Sequence, residues 1–341
     1  MKPNLTRSLA SLLLLTMLLS ACLPPSAVPD AGVLATMVAG TLAAMPTVTP
    51  GPSPTPGPSP TPGPSPTPLD TRMPDAGGSY PPAADPLPQP AGQTTILLMG
   101  SDQRPDHPDF RTDILVMVVL RPDGSVNLLS LPRDLWVYLP GKFMQRINTA
   151  QEFGGFDLVQ QTFQYNFGFA PQSFVLTNFS GFQAIVDHLG GIDIYASQTY
   201  HEARDGYFPN GYTIQAGPAH LDGSTALWYV RGRDVYGDLD RMRRSQEVVV
   251  GIGNKLLSLD GLTRAPQLYA DLRAAFVTDL TIDDVLKLLP LLQAADPAKV
   301  HSYALGIDQV IPTILPASGA SVLLPKADAI RVVLQQALGT P

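Results

Sequence analysis

Eleven arginines and a single lysine, Lys142, fall between Gly92 and Val250 in a chain whose net charge is −7. A guanidinium makes planar, two-pronged hydrogen bonds to phosphate or carboxylate that an ammonium cannot reproduce, so this preference points to an anionic substrate gripped in defined geometry. Solvated surface arginines are the ordinary alternative. The spacing argues against it for much of the set, because Asp102 and Arg104, Arg111 and Asp113, and Arg133 and Asp134 form close pairs. Arg231, Arg233, Asp238, Arg241 and Arg244 follow as a second group. The acidic balance excludes a generic electrostatic grip on nucleic acid, so any anion site must be local.

These pairs sit where elements of structure are expected to end. Thr94 to Gly100 is an apolar run stopped by glycine, the pattern of a buried strand. Ile114 to Leu120 is joined by Arg121-Pro122-Asp123-Gly124 to Ser125 to Leu131, which predicts a β-hairpin closed by a type I turn. If Arg121 faces Gly124, Asp113 lies opposite Pro132 and Arg111 opposite Asp134, give or take one residue. Arg111, Asp113, Arg133 and Asp134 then meet at one open end, joined by Asp102 and Arg104 if the first strand runs parallel to the third.

Helical periods cover Leu158 to Phe167 and Gly181 to Leu189, the second closed by Gly190-Gly191. A strand is expected over Ala226 to Arg233, sending Arg231 and Arg233 to one face. Asp238 is expected to N-cap an amphipathic helix over Leu239 to Leu257, with Arg241 and Arg244 loosely on one side. A helix N-terminus beside arginines is a natural phosphate site. A helix near Ile282 to Ala294, a strand over Val300 to Ala304 and a helix over Lys326 to Leu338 complete an α/β pattern. One central sheet covered by helices fits it best.

The N-terminal quarter reads differently. Lys2 and Arg7 precede a short apolar stretch, Leu9 to Leu19, below the ~17–25 residues needed to span a bilayer, which is the form of a signal peptide. Leu19-Ser20-Ala21-Cys22 resembles a lipobox, and Cys22, the only cysteine in the chain, is the expected lipidation site. An uncleaved signal anchor is the alternative. Either places the remainder extracytoplasmic, anchored to the membrane. From Gly51 to Pro68 Gly-Pro-Ser-Pro-Thr-Pro occurs three times, a polyproline II spacer reaching on the order of 55 Å. The expected organisation is therefore a signal peptide over 1–22, a Pro-rich linker over 23–92, a catalytic domain over 93–258 and an α/β extension over 259–341, packed on the same domain.

The ordered blocks from about Thr95 to Glu247 resemble the LytR-CpsA-Psr family of cell-envelope glycopolymer ligases. They include Leu97-Leu98-Met99-Gly100-Ser101-Asp102-Gln103-Arg104, Arg111-Thr112-Asp113, Leu131-Pro132-Arg133-Asp134, Arg146-Ile147-Asn148 and Asn178-Phe179-Ser180-Gly181-Phe182. Leu189-Gly190-Gly191-Ile192-Asp193, Leu221-Asp222-Gly223 and Tyr229-Val230-Arg231-Gly232-Arg233 continue the match, which ends with Gly237-Asp238, Arg241, Arg244 and Gln246. The resemblance implies a mixed sheet wrapped by helices with an apolar tunnel for a prenyl chain. It implies Mg²⁺ (or Mn²⁺) held by Asp102 and Asp113, and a clamp of Arg111, Arg133, Arg231, Arg233 and Arg241 on a pyrophosphate, with Asp238 as candidate base. Arg104, Arg146, Arg244 and Gln246 are the expected further substrate contacts. The family often has lysine where this chain has Arg146, and it usually begins with a transmembrane helix, which makes a lipobox ending at Cys22 unusual for it.

Such a site suits transfer of a glycopolymer from a polyprenyl-pyrophosphate carrier to a peptidoglycan hydroxyl. Fixed arginines and Mg²⁺ stabilise the charge that spreads over the phosphate oxygens, and no nucleophilic side chain is required. Phe163, Phe167, Phe174, Phe179 and Phe182 are candidates for the tunnel lining, against the commoner role of plain core. A non-catalytic module binding lipid-linked or wall polymers would keep the arginines without paired metal carboxylates. A pyrophosphatase or nuclease would have no use for a tunnel. His107, His188, His201, His220 and His301 show no metal-ligand spacing.

Overall fold

The computed structural model describes residues 80–104, 110–202, 212–232, 237–258, 267, 269–270 and 272–340. Cys22, the Leu9 to Leu19 stretch, the Pro-rich repeat, His107 and Arg233 lie outside the described residues.

The central sheet begins with β1 (Thr94–Ser101), β2 (Thr112–Leu120) and β3 (Val126–Ser130). A ribbon of β4 (Trp136–Tyr138) and β5 (Met144–Arg146) leads into helix α1 (Ala150–Phe167), strand β6 (Ser173–Thr177) and helix α2 (Phe179–His188). Then come β7 (Ile192–Ala196), the ribbon β8 (Tyr200–Glu202) and β9 (Tyr212–Ile214), and β10 (Gly217–Leu221), which pairs back onto β7. Helices α3 (Gly223–Arg231) and α4 (Gly237–Leu257) follow. The last part holds β11 (Phe276–Thr278), α5 (Ile282–Gln293), β12 (Val300–Ala304), the ribbon β13 (Val310–Ile314) and β14 (Ser321–Pro325), and α6 (Ala327–Leu338).

Six strands form the main sheet in the order β11-β6-β1-β2-β3-β12, with β1–β6 and β3–β12 parallel and the other neighbours antiparallel. It is the expected mixed α/β sheet, and β1 does run parallel to β3. The continuous apolar runs of β1 and β2 follow from burial on both faces. On one face Leu97, Met99, Leu115, Met117 and Val119 pack with Phe163 and Phe167 of α1 and Leu334 of α6. On the other, Ile114 joins a second cluster built from Val186, Ile192, Trp228, Tyr229 and Val248.

The hairpin register is one residue from the simplest expectation and within its stated margin. Val116 pairs with Ser130 and Leu120 with Val126, while the Arg121 amide donates to the Ser125 carbonyl across a three-residue loop. Gly124, at φ 78°, supplies the left-handed residue such a loop needs. Extending that register brings Arg133 opposite Asp113.

Two local expectations are corrected. Residues 226–233 do not form a strand: Gly223–Arg231 is helical, with the Asp222 carboxylate capping it by accepting from the Thr225 amide at 2.8 Å. Ala226 to Val230 are all buried, so this helix shows no polar stripe and its apolar run reads like a strand. Arg231 therefore closes a helix rather than alternating along a strand. Asp238, for its part, lies within the first turn of α4, which begins at Gly237, instead of capping it.

Residues 80–92, assigned by composition to the linker, are held against the domain. The Leu87 amide donates to the Gly168 carbonyl at 2.8 Å, Leu87 itself is buried, and Arg331 donates to the Asp85 and Pro86 carbonyls. Proline removes donors but leaves its carbonyls available as acceptors, and these are what the domain binds. The C-terminal part enters the same sheet through β11 and β12, and Asn127 donates to the Ala337 carbonyl at 2.7 Å.

Candidate active site

A cavity of about 550 Å³ opens at the end of the sheet where β1 and β6 finish and β2 starts. Ligands of α/β sheets commonly sit at such strand ends. Asp102, Arg104, Asp113, Arg231 and Arg241 line it, so both arginine groups converge on one space. The remaining wall is apolar, with Ile114, Phe179, Phe182, Leu227 and Trp228 among its residues. Of the five phenylalanines considered from the sequence, Phe179 and Phe182 face this cavity, whereas Phe163, Phe167 and Phe174 belong to the core on the other side of the sheet.

An ion-pair chain supports the charged wall. Arg133 Nη1 donates to Asp113 Oδ2 at 2.5 Å, and Asn148 Nδ2 to Asp113 Oδ1 at 3.2 Å. Arg133 also lies 3.5 Å from Asp134 and 3.9 Å from Asp238. Burial would lower the Arg133 pKa, but these three carboxylates outweigh it and raise it, so the guanidinium stays charged. Arg241 is buried, pairs with Asp238 at 2.6 Å and donates to the Asp113 carbonyl. The Arg231 guanidinium stacks 4.3 Å above the Phe179 ring, a cation–π contact that fixes its place between the apolar and charged walls.

Other expected site residues are placed elsewhere. Arg111 is exposed and does not line the cavity; its amide donates to Asp102 Oδ1 at 2.7 Å, which orients that carboxylate. Arg146 pairs with Asp134 at 3.2 Å and donates to the Ser321 carbonyl, tying β5 to β14. Arg244 is wholly buried, bound to Asp240 and the Gly232 carbonyl and stacked 4.0 Å over Tyr200. Gln246 spends its amide on Ser130 Oγ and the Tyr303 carbonyl. Neither of the last two lines the cavity. Their proximity in sequence to Arg241 is helical, and successive helix positions face different neighbours.

The profile of the LytR_cpsA_psr family matches residues 77–336. The chain belongs to this family. A LytR_cpsA_psr relative from Oceanobacillus iheyensis, the polyisoprenyl-teichoic acid–peptidoglycan teichoic acid transferase TagU, is 33% identical over 203 residues, covering 57% of this chain and 61% of its own. The Bacillus subtilis TagU is 31% identical over 195 residues, covering 56% and 61%. The chain thus spans about three fifths of the length of these relatives. Among solved structures, B. subtilis TagV superposes with a TM-score of 0.61 at 23% identity, covering 73% of this chain and 98% of that one. TagT bound to LIIa-WTA superposes with a TM-score of 0.57 at 25% identity, covering 72% and 91%.

Three polar residues of the cavity are not marked as site residues by the sequence. Thr177 and Asn178 end β6 and cap α2, and Glu202 ends β8. Asn178 lay inside a family block but carried no charge to mark it. Glu202 stands on a three-residue strand without any motif.

Proposed function

We propose that this chain is a phosphotransferase that moves a glycopolymer from a polyprenyl-pyrophosphate carrier to peptidoglycan outside the cytoplasm. The observation that supports this reading is a cavity with one charged and one apolar wall, in a chain of this family. A pyrophosphate fits the arginine side and the start of a prenyl chain the aromatic side. A pyrophosphate-cleaving hydrolase has no need of the second. The names of the TagU relatives describe transfer of teichoic acid to peptidoglycan, and a neighbouring fold has been solved with LIIa-WTA bound.

In this reaction the acceptor hydroxyl oxygen attacks the glycan-side phosphorus, the bridging P–O bond breaks, and polyprenyl phosphate leaves with the electron pair. Arg231 and Arg241 hold the phosphate oxygens as charge spreads over them, and Arg133 keeps Asp113 in place. Asp102 and Asp113 fit a Mg²⁺ site, since both are oxygen donors on the same cavity wall and Mg²⁺ takes one or two carboxylates together with substrate phosphates. Bound there, the ion would neutralise part of the developing charge. Among the described residues no group of three or more His, Cys, Asp or Glu is arranged to hold a metal alone.

Mass spectrometry of the purified protein for copurified polyprenyl phosphates tests the reading; a cavity that copurifies only with ordinary phospholipid would count against it. For the metal, Asp102→Asn and Asp113→Asn are each expected to raise the Mg²⁺ concentration for half-maximal activity. The double variant should lose little beyond the worse single one, because both carboxylates act on one ion. Asp113→Asn also weakens the pair with Arg133, so activity is to be normalised to folded protein. An unshifted Mg²⁺ midpoint in both variants would reassign the carboxylates to salt bridges.

The anchor completes the proposal. No helix among the described residues is long and apolar enough to cross a membrane. We assign membrane attachment to a lipid on Cys22. The Cys22→Ser protein should lose lipid label and membrane retention; wild-type labelling and fractionation would make Leu9 to Leu19 an uncleaved anchor.

A further inference from the structure

Three acidic residues line the cavity, and two of them, Asp102 and Asp113, have been assigned to the metal. The third is Glu202 at the end of β8. Among the described residues no cationic side chain lies within ion-pair distance of it, unlike Asp113, Asp134, Asp238 and Asp240. Among the described residues the only side-chain hydrogen bond it accepts runs from the Tyr200 hydroxyl to Oε2 at 3.1 Å, and none reaches Oε1.

Asp238, the other candidate for a base, is less well placed. Its Oδ1 is taken by Arg241 at 2.6 Å, its Oδ2 is buried, and it does not line the main cavity. A base must come within hydrogen-bond reach of the proton it removes.

The surroundings of Glu202 fix it. Tyr200 is buried beneath the Arg244 guanidinium, which itself is held by Asp240 and the Gly232 carbonyl. Burial pushes the Tyr200 phenol well above its ordinary pKa, so it remains a donor to the carboxylate. Gly232 lies so close that a Cβ there would run into both the Tyr200 hydroxyl and Glu202 Oε2. Only glycine permits this approach, and it brings Glu202 beside the residue that follows Arg231 directly.

We propose that Glu202 is the carboxylate that binds the acceptor hydroxyl and takes its proton during transfer. The inference rests on the proposed transfer reaction. As the acceptor oxygen bonds to phosphorus and the bridging P–O bond breaks toward polyprenyl phosphate, the hydroxyl proton passes to a Glu202 oxygen. Tyr200 is then a positioning residue that holds Oε2 from behind.

The test uses the full chain with a polyprenyl-pyrophosphate glycan and a soluble peptidoglycan fragment. Glu202→Gln keeps the size and an acceptor for Tyr200 but cannot take a proton. It is expected to lower kcat by about 10²-fold while leaving KM for the lipid carrier within about twofold. Glu202→Ala is expected to be as slow and to regain rate when formate, a small carboxylate, is added. Wild-type kcat in Glu202→Gln, or a Glu202→Ala protein indifferent to formate, would overturn the assignment. A wild-type chain that makes no wall-linked product would overturn the underlying reaction instead, and the two failures are distinguishable in one assay.

Discussion

Replacing Arg231 with lysine is expected to slow transfer per folded molecule by about 10²–10³-fold, the cost of losing one donor aimed at charge in a transition state. Arg231 ends α3, lines the cavity and places its guanidinium carbon 4.3 Å from the centre of the Phe179 ring. A guanidinium in that position can stack on the ring with its face and grip two phosphate oxygens with its edge; an ammonium keeps the charge and loses both geometries. Stability should change little, since the residue projects into the cavity and not into either core cluster. Steady-state rates on the folded variant, with a thermal melt alongside, decide the matter. A variant that melts earlier yet turns over normally would make Arg231 a structural residue.

Arg244→Met should act on the opposite property. Arg244 is fully buried, donates to Asp240 at 2.7 Å and to the Gly232 carbonyl at 2.6 Å, and stacks on Tyr200. Removing one member of a buried pair leaves the other charge and a carbonyl without their partner, a loss of about 3–5 kcal/mol. Asp240 keeps Arg243, which limits the loss to the lower part of that range. For a domain of this size the melting temperature should fall on the order of 10 °C. An unchanged melting temperature would show that the pair contributes nothing net. The contrast between two arginines thirteen positions apart follows from burial, which the sequence does not display.

The hairpin, helices α2 and α4 and the C-terminal helix were legible because each carries its own punctuation. Pro122 and Gly124 mark the turn, Gly190 and Gly191 close α2, and the period of α4 runs for five turns. Convergence of Asp102, Asp113 and Arg133 followed from register alone. Helix α3 was illegible because Ala226 to Val230 are all buried, which erases the stripe that separates a helix from a strand. Its start was nonetheless written in Asp222-Gly223-Ser224-Thr225, where the cap forms. Arg244 and Gln246 resemble substrate contacts in sequence because residue type reveals chemistry but not direction; Gln246 turns in toward β3 and β12, and Arg244 toward Gly232 and Tyr200. Glu202 could not be found at all, since only the fold brings β8 to the cavity.

The central claim is that one cavity holds a prenyl pyrophosphate by its two ends and passes the glycan phosphate to the cell wall. The direct measurement incubates the protein and Mg²⁺ with a short-chain polyprenyl-pyrophosphate glycan and a peptidoglycan fragment, then follows both products by mass spectrometry. Polyprenyl monophosphate and glycan joined to the fragment through a phosphodiester should appear in equal amounts, and neither should form with Arg231→Lys at more than about a hundredth of the wild-type rate. Release of polyprenyl monophosphate together with free glycan phosphate, at the same rate with or without the acceptor, would contradict the account and leave a hydrolase in its place.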